Sequence, residues 1–98
     1  MKNDCFYIQI MLSKNKIKYI RSLDLKKNRK EEQVFVAEGH KLVGDLLGHF
    51  PCRLLVAVSS WLKKYPPAKA DVIIEVTPDE LTRASLQMIP QEVLAIFE

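Results

Sequence analysis

The apolar positions fall into alternating helix-like and strand-like runs. Ser13 can N-cap a helix opening at Lys14, and Ile17, Ile20 and Leu23, three apart, give that helix one apolar stripe. Gln33–Ala37 is a short β-branched run that predicts a buried strand. Glu38-Gly39 ends it and opens a helix over His40–Phe50, where Leu42, Val43, Leu46, Leu47 and Phe50 share a face and Pro51 stops the turn. Arg53–Ser59 is continuously apolar, the pattern of a strand buried on both faces. Trp61–Tyr65 reads as a short helical piece ahead of Pro66-Pro67, and Asp71–Val76 as the next strand. Thr77, with Pro78 behind it and Glu80 three residues on, is a capping box that predicts a helix through about Leu86. Gln91–Phe97 predicts the last strand.

Helices alternating with strands predict an α/β fold, a three-layer α/β/α sandwich around a mostly parallel sheet. Ninety-eight residues make one domain. Residues 1–12 read as an N-terminal extension to a domain over 13–98; Phe6, Ile8 and Ile10 alternate, but a frayed tail is expected ahead of an edge strand. No apolar run reaches the ~18–20 residues of a membrane span, so no membrane partner is expected. Cys5 and Cys52 make neither a disulfide framework nor a metal site, and a reduced, cytoplasmic setting fits them.

Charge changes the picture more than composition does. The net charge of +3 hides a block at residues 13–30, where eight bases stand against the single acid Asp24. The rest of the chain carries seven bases and eleven acids. Lys14, Lys16, Lys18, Arg21, Lys26, Lys27, Arg29 and Lys30 are the candidate polyanion-binding residues, because a basic block on an acid-leaning body is the footprint of a polyanion binder. The plain alternative is a solvated helix face. Against it, acids are not interleaved at i, i+4. Lys14, Lys18 and Arg21 share one helix face, and the stretch from Lys26 to Lys30 is expected to be a solvated loop anchored by Leu25. Arg21 and Arg29 are the candidate phosphate clamps, since the guanidinium fork matches phosphate oxygens.

Other chemistry is thin. There is no phosphate-binding glycine loop; Gly39, Gly44 and Gly48 fall in a helical pattern. His40 and His49 lack companions at ligand spacing, and Ser59-Ser60 has no recognisable histidine partner. Glu38-Gly39 is a possible functional loop, because ligands bind at strand C-termini of open α/β sheets. The plainer reading has Gly39 relieving a tight turn and Glu38 favouring a helix N-terminus.

The spacing Ser13-x-Asn15-x-x-Lys18-x-x-x-x-Leu23, then Phe35-x-x-Glu38-Gly39, then Val76-Thr77-x-x-Glu80-Leu81 and Pro90-Gln91-x-Val93-Leu94-Ala95 resembles the N-terminal substrate-binding domain of SpoU-type (SPOUT superfamily) RNA ribose 2′-O-methyltransferases. Family members usually carry Gly where Glu92 stands, and commonly begin near Met11. The resemblance implies a fold like RNA-binding ribosomal proteins and ribosomal or transfer RNA as partner. It places methyl transfer in a separate C-terminal knotted domain that binds S-adenosylmethionine and forms a homodimer. None of that domain's motifs can be placed here, so no catalytic, cofactor-binding or metal residue is carried over, and this chain alone is not expected to bind S-adenosylmethionine. A stand-alone RNA-binding protein of this fold, or an α/β domain docking on an acidic protein, are the alternatives.

Overall fold

The computed structural model describes residues 8–9, 12–64, 70–87 and 91–98. Phe6, Ile10, Tyr65–Pro67 and Pro90, which figured in the expectations above, lie outside them, as does Cys5. Five strands, β1 (Ile8–Gln9), β2 (Phe35–Glu38), β3 (Cys52–Val58), β4 (Ala70–Val76) and β5 (Val93–Phe97), form one sheet in the order β1-β4-β3-β5-β2. Five helices accompany them: α1 (Lys14–Ser22), α2 (Lys26–Glu32), α3 (His40–Leu46), α4 (Ser59–Lys64) and α5 (Pro78–Ala84).

The three-layer expectation holds, with a core on each face of the sheet. On one face Ile20 and Leu23 of the α1 region and Leu81 and Ala84 of α5 cover Leu54, Val56, Ile74, Leu94 and Ile96. On the other, Val43 of α3 and Trp61 of α4 cover Leu55, Ala57, Ile73, Val93, Ala95 and Phe97. Strands β3 and β5 supply alternate residues to both cores, as period-two geometry requires. The continuous apolar run of β3 is therefore central, as its pattern indicated.

The sheet is mixed where a mostly parallel one was expected. β1, β4, β3 and β2 run the same way; β5 lies between β3 and β2, antiparallel to both. The reason lies in the end of α5. Glu38, at the C-terminal end of β2, binds Ser85 and Leu86 just past that helix. The chain thus returns to the sheet from the C-terminal edge of the parallel strands, and β5 runs back down from it. Parallel entry would have needed a crossover to the opposite edge.

Three boundaries differ from the sequence expectation, each for a local reason. Gln33 sits at φ 57° and closes α2, so β2 begins at Phe35 and not at Gln33. Helix α3 stops at Leu46: Leu47 is extended and Gly48 has φ 93°, well before Pro51. Phe50, assigned to the apolar face of that helix, falls beyond its end and is 44% exposed, packing edge-on against Phe35 with centroids 5.3 Å apart, while Leu42, inside the helix, is 49% exposed where its neighbour Val43 is buried. Residues 8–9 pair with Ile73 and Ile74 of β4, and Leu12 is buried, so part of the expected N-terminal extension belongs to the fold. The N-cap at Ser13 and the capping box at Thr77 behave as read. Ser13 Oγ accepts from Lys16 N–H at 3.1 Å, and Thr77 Oγ1 accepts from Glu80 N–H at 3.2 Å while Thr77 N–H donates to Glu80 Oε1 at 2.9 Å.

Candidate nucleic-acid interface

Helix α1 turns Ile20 into the core and leaves Lys14, Lys18 and Arg21 exposed along another face. One turn of helix separates Lys14 from Lys18, a rise of about 6 Å. Lys16 is half-buried. The expected loop at 26–30 is instead helix α2, and Leu25 does not anchor it, being 61% exposed. Its moorings are polar. Asn28 Nδ2 donates to Ser22 O at 2.7 Å, and Arg29 Nη1 donates to Leu23 O at 2.8 Å and Asp24 O at 2.9 Å. These carbonyls belong to the C-terminal end of α1 and the residues after it, so Asn28 and Arg29 lock the two basic helices together.

Both arginines of the block are spent in this way. Arg21 Nη1 donates to Arg83 O at 3.3 Å and Ser85 O at 3.2 Å, carbonyls at the end of α5. The guanidinium thereby pins α1 to α5 and brings Arg83, exposed in the last turn of α5, to the same surface. Arg83 was missed in the sequence because only the α1–α5 packing makes it a neighbour.

The lysines are differently placed. Of the two acids following the block, Glu32 is taken: its Oε1 accepts from Arg53 Nη1 at 2.9 Å and from Tyr19 OH at 3.1 Å. Arg53 also lies 3.5 Å from Glu98 and donates to Tyr19 OH at 3.1 Å. The Tyr19 bond, and then the two carboxylates, hold the Arg53 guanidinium more firmly protonated than usual, against a smaller desolvation cost. Among the described residues no salt bridge reaches Lys14, Lys16, Lys18, Lys26, Lys27 or Lys30. The structure thus groups six unpaired lysines on α1 and α2, with two arginines fastening the scaffold beneath them.

Glu38 and Gly39 have a different occupation. Glu38 is 8% exposed, and its carboxylate accepts from Ser85 Oγ at 2.6 Å and Leu86 N–H at 2.9 Å. It ties β2 to the segment after α5 rather than serving the start of α3. Gly39 has φ 103°, a conformation that favours glycine, and its N–H pairs with Val93 O at 3.0 Å.

A cleft lies elsewhere, along the C-terminal edge of the parallel strands. It measures about 930 Å³ and its lining includes His40, Lys64, Glu75, Glu80 and Glu92. Among the described lining residues carboxylates outnumber cations, which disfavours phosphate. The described residues include no group of three or more potential metal ligands and no helix long and apolar enough to cross a membrane.

Residues 14–95 match the MRM3-like substrate binding domain. The chain belongs to that family. Among solved structures it is similar to a TrmH-family RNA methyltransferase structure from Porphyromonas gingivalis, with 39% identity and a TM-score of 0.79 over 90% of this chain and 36% of that one. It is also similar to an AdoMet-bound rRNA methyltransferase from Sinorhizobium meliloti, with 30% identity and a TM-score of 0.68 over 95% of this chain and 36% of that one. An RNA 2′-O ribose methyltransferase shares the fold at 16% identity and a TM-score of 0.68, over 93% of this chain and 37% of the other. No curated protein sequence matches the chain significantly. The chain therefore spans about a third of the length of the solved proteins it matches. The resemblance read from the spacing of Lys18, Leu23, Phe35, Glu38 and Gly39 to a substrate-binding domain of the SpoU/TrmH enzymes stands.

Proposed function

We propose that this domain holds structured RNA for a TrmH-family 2′-O-ribose methyltransferase, gripping the phosphate backbone with the lysines of α1 and α2. The observation that carries the reading is the set of six lysines with no acidic partner among the described residues, on two helices locked together by Arg29 and Asn28. Phosphate contacts of this kind orient an RNA without reading its bases. The whole protein would supply the rest. Its S-adenosylmethionine site and catalytic groups belong to a second domain outside these 98 residues, active as a homodimer in the cytoplasm. The substrate is a ribosomal or transfer RNA.

The test is fluorescence anisotropy on a folded RNA fragment across a salt series. Four to six simultaneous phosphate contacts give a slope of log K against log salt of roughly −3 to −5. Lys14→Glu with Lys18→Glu should weaken binding strongly and flatten that slope. Lys63→Glu with Lys64→Glu, on α4 across the sheet, should do much less. Equal losses in both variants, or binding indifferent to salt, would show that α1 and α2 are not the RNA-facing surface.

A further inference from the structure

The four arginines of the chain divide by what their guanidinium groups hold. Arg21 and Arg29 each donate to two backbone carbonyls, and Arg53 binds Tyr19, Glu32 and Glu98. Arg83 differs. Among the described residues its guanidinium has neither a hydrogen bond nor a salt bridge, and it is exposed in the last turn of α5. Two acids precede it on the helix. Glu80, three residues back, gives its Oε1 to Thr77 N–H at 2.9 Å in the capping box. Asp79, four residues back, has the spacing of a helical ion pair, but no salt bridge joins it to Arg83. The plain role of Arg83 is to face the negative end of the α5 backbone dipole, which any cation at that position would fill.

Its setting goes beyond that role. Arg21 reaches across from α1 to the carbonyls of Arg83 and Ser85, at 3.3 and 3.2 Å. Beneath it Ile20 and Leu23 share a core with Leu81 and Ala84. Lys14 and Lys18 are exposed along the face of α1 that carries Arg21. The seam between the helices therefore has lysines on one side and Arg83 on the other.

We infer that Arg83 is the guanidinium contact of this surface to RNA phosphate, presented on α5 and set against α1 by Arg21, which acts as a positioning residue. This inference rests on the RNA reading above. Lysines supply point charges, whereas a guanidinium offers a fork of donors that matches two phosphate oxygens. Arg21 and Arg29 are fastened to carbonyls; Arg83 carries the fork that is open to a ligand.

The experiment is fluorescence anisotropy of a folded RNA hairpin with the 98-residue chain across a salt series, alongside NMR of the arginine Nε–H groups. Arg83→Ala should weaken binding about fivefold or more. It should also make the slope of log K against log salt shallower by about 0.7–0.9, the share of one phosphate contact. Arg83→Lys keeps the charge and loses the fork, so it should leave the slope in place and weaken binding by about two- to threefold. Neither variant should lower the melting temperature by more than about 5 °C, the scale of a helix-end charge. A helix-end cation alone would move neither affinity nor slope. In an Arg21→Lys background, which keeps the charge but replaces the guanidinium grip on α5, the loss on Arg83→Ala should shrink to about twofold. An undiminished loss there would overturn the positioning role of Arg21. Adding the hairpin to wild type should shift the Arg83 Nε–H signal and leave that of Arg53 in place. If the hairpin binds while Arg83→Ala changes neither affinity nor slope, the inference is overturned and the RNA reading survives. If the hairpin does not bind wild type at all, the RNA reading falls and takes the inference with it. If polyaspartate shifts the Arg83 signal as strongly as the hairpin does, the contact is not one for RNA phosphate and the inference is overturned.

Discussion

Replacing Glu38 by Ala tests whether the Glu-Gly junction is a structural tie or a ligand contact. The carboxylate is 8% exposed and accepts two hydrogen bonds, from Ser85 Oγ at 2.6 Å and from Leu86 N–H at 2.9 Å. Truncation strands the Leu86 N–H in a part-buried position, at about 1–3 kcal/mol for an orphaned donor. Ser85 loses less, because its hydroxyl already lies 3.5 Å from Gln87 O and can turn toward it. The expected loss is thus about 2–4 kcal/mol, which in a chain of this size lowers the melting temperature by roughly 10–20 °C. Glu38→Gln should cost only about 1 kcal/mol, since Ser85 can switch from donor to acceptor and Leu86 keeps a carbonyl oxygen. Thermal and urea unfolding measure the loss, and a double-mutant cycle with Ser85→Ala isolates the shared bond, whose coupling should be about 1 kcal/mol or more. RNA affinity, taken well below the melting transition, should be unchanged in Glu38→Gln. A Glu38→Ala variant as stable as wild type that nonetheless loses RNA would refute the tie and make the junction part of the binding surface.

Two further outcomes follow from backbone and burial. Gln33 holds a left-handed conformation, φ 57°, that costs a non-glycine residue about 1–2 kcal/mol; after the entropy glycine adds to the unfolded chain, Gln33→Gly should raise the urea midpoint by about 0.5–1 kcal/mol of stability, and a lowered midpoint would contradict the assignment. Burial pushes the Cys52 thiol up to about 12, with the bond to Leu54 O opposing and Asp71 adding slightly. In a Cys5→Ser background Cys52 should therefore resist alkylation at pH 8 until the chain unfolds, and prompt labelling of native protein would contradict its burial. The same shift sets a pH dependence. The unfolded thiol ionises near 9 and the folded one near 12, so this group's contribution is intact below pH 9 and is lost as pH rises from 9 toward 12, by about 1.4 kcal/mol per unit at most.

Periodicity revealed most of the fold because most of the fold is periodic. The β3 run from Leu54 to Ala57, buried on both faces, the N-cap at Ser13 and the capping box at Thr77 are local signals, and each reappears in the structure. What escaped were features decided at a distance. The direction of β5 depends on where α5 ends, and that is set by Glu38 reaching residues 47 and 48 positions further along the chain. Helix α2 escaped for the opposite reason: with no buried residue it has no apolar stripe to detect, and its stability comes from Asn28 and Arg29 bonding the carbonyls left open at the end of α1. The overlong α3 shows a third cause. Phe50 fits its apolar face by spacing, but the turn at Leu47 and Gly48 ends the helix before that spacing can reach it.

The candidate interface was legible as a quantity of charge and not as a division of labour. Eight cations of one block look alike in a sequence, yet a guanidinium next to unsatisfied carbonyls has a use that an ammonium on the far side of the same helix lacks. Arg21 closes α1 onto α5 and Arg29 closes α2 onto α1, each through one nitrogen bonding two carbonyls. Losing either arginine would therefore disturb the scaffold as well as the charge, which makes a charge-reversal experiment that includes Arg21 ambiguous. Lysines are the informative targets. Glu32 sharpens the same point: it follows the block closely enough in sequence to neutralise Lys30 or Arg29, but the fold gives it to Arg53. A basic helix surface becomes more available to a polyanion when a neighbouring acid such as Glu32 is engaged elsewhere, and here that engagement runs through Tyr19 of the basic helix α1 itself.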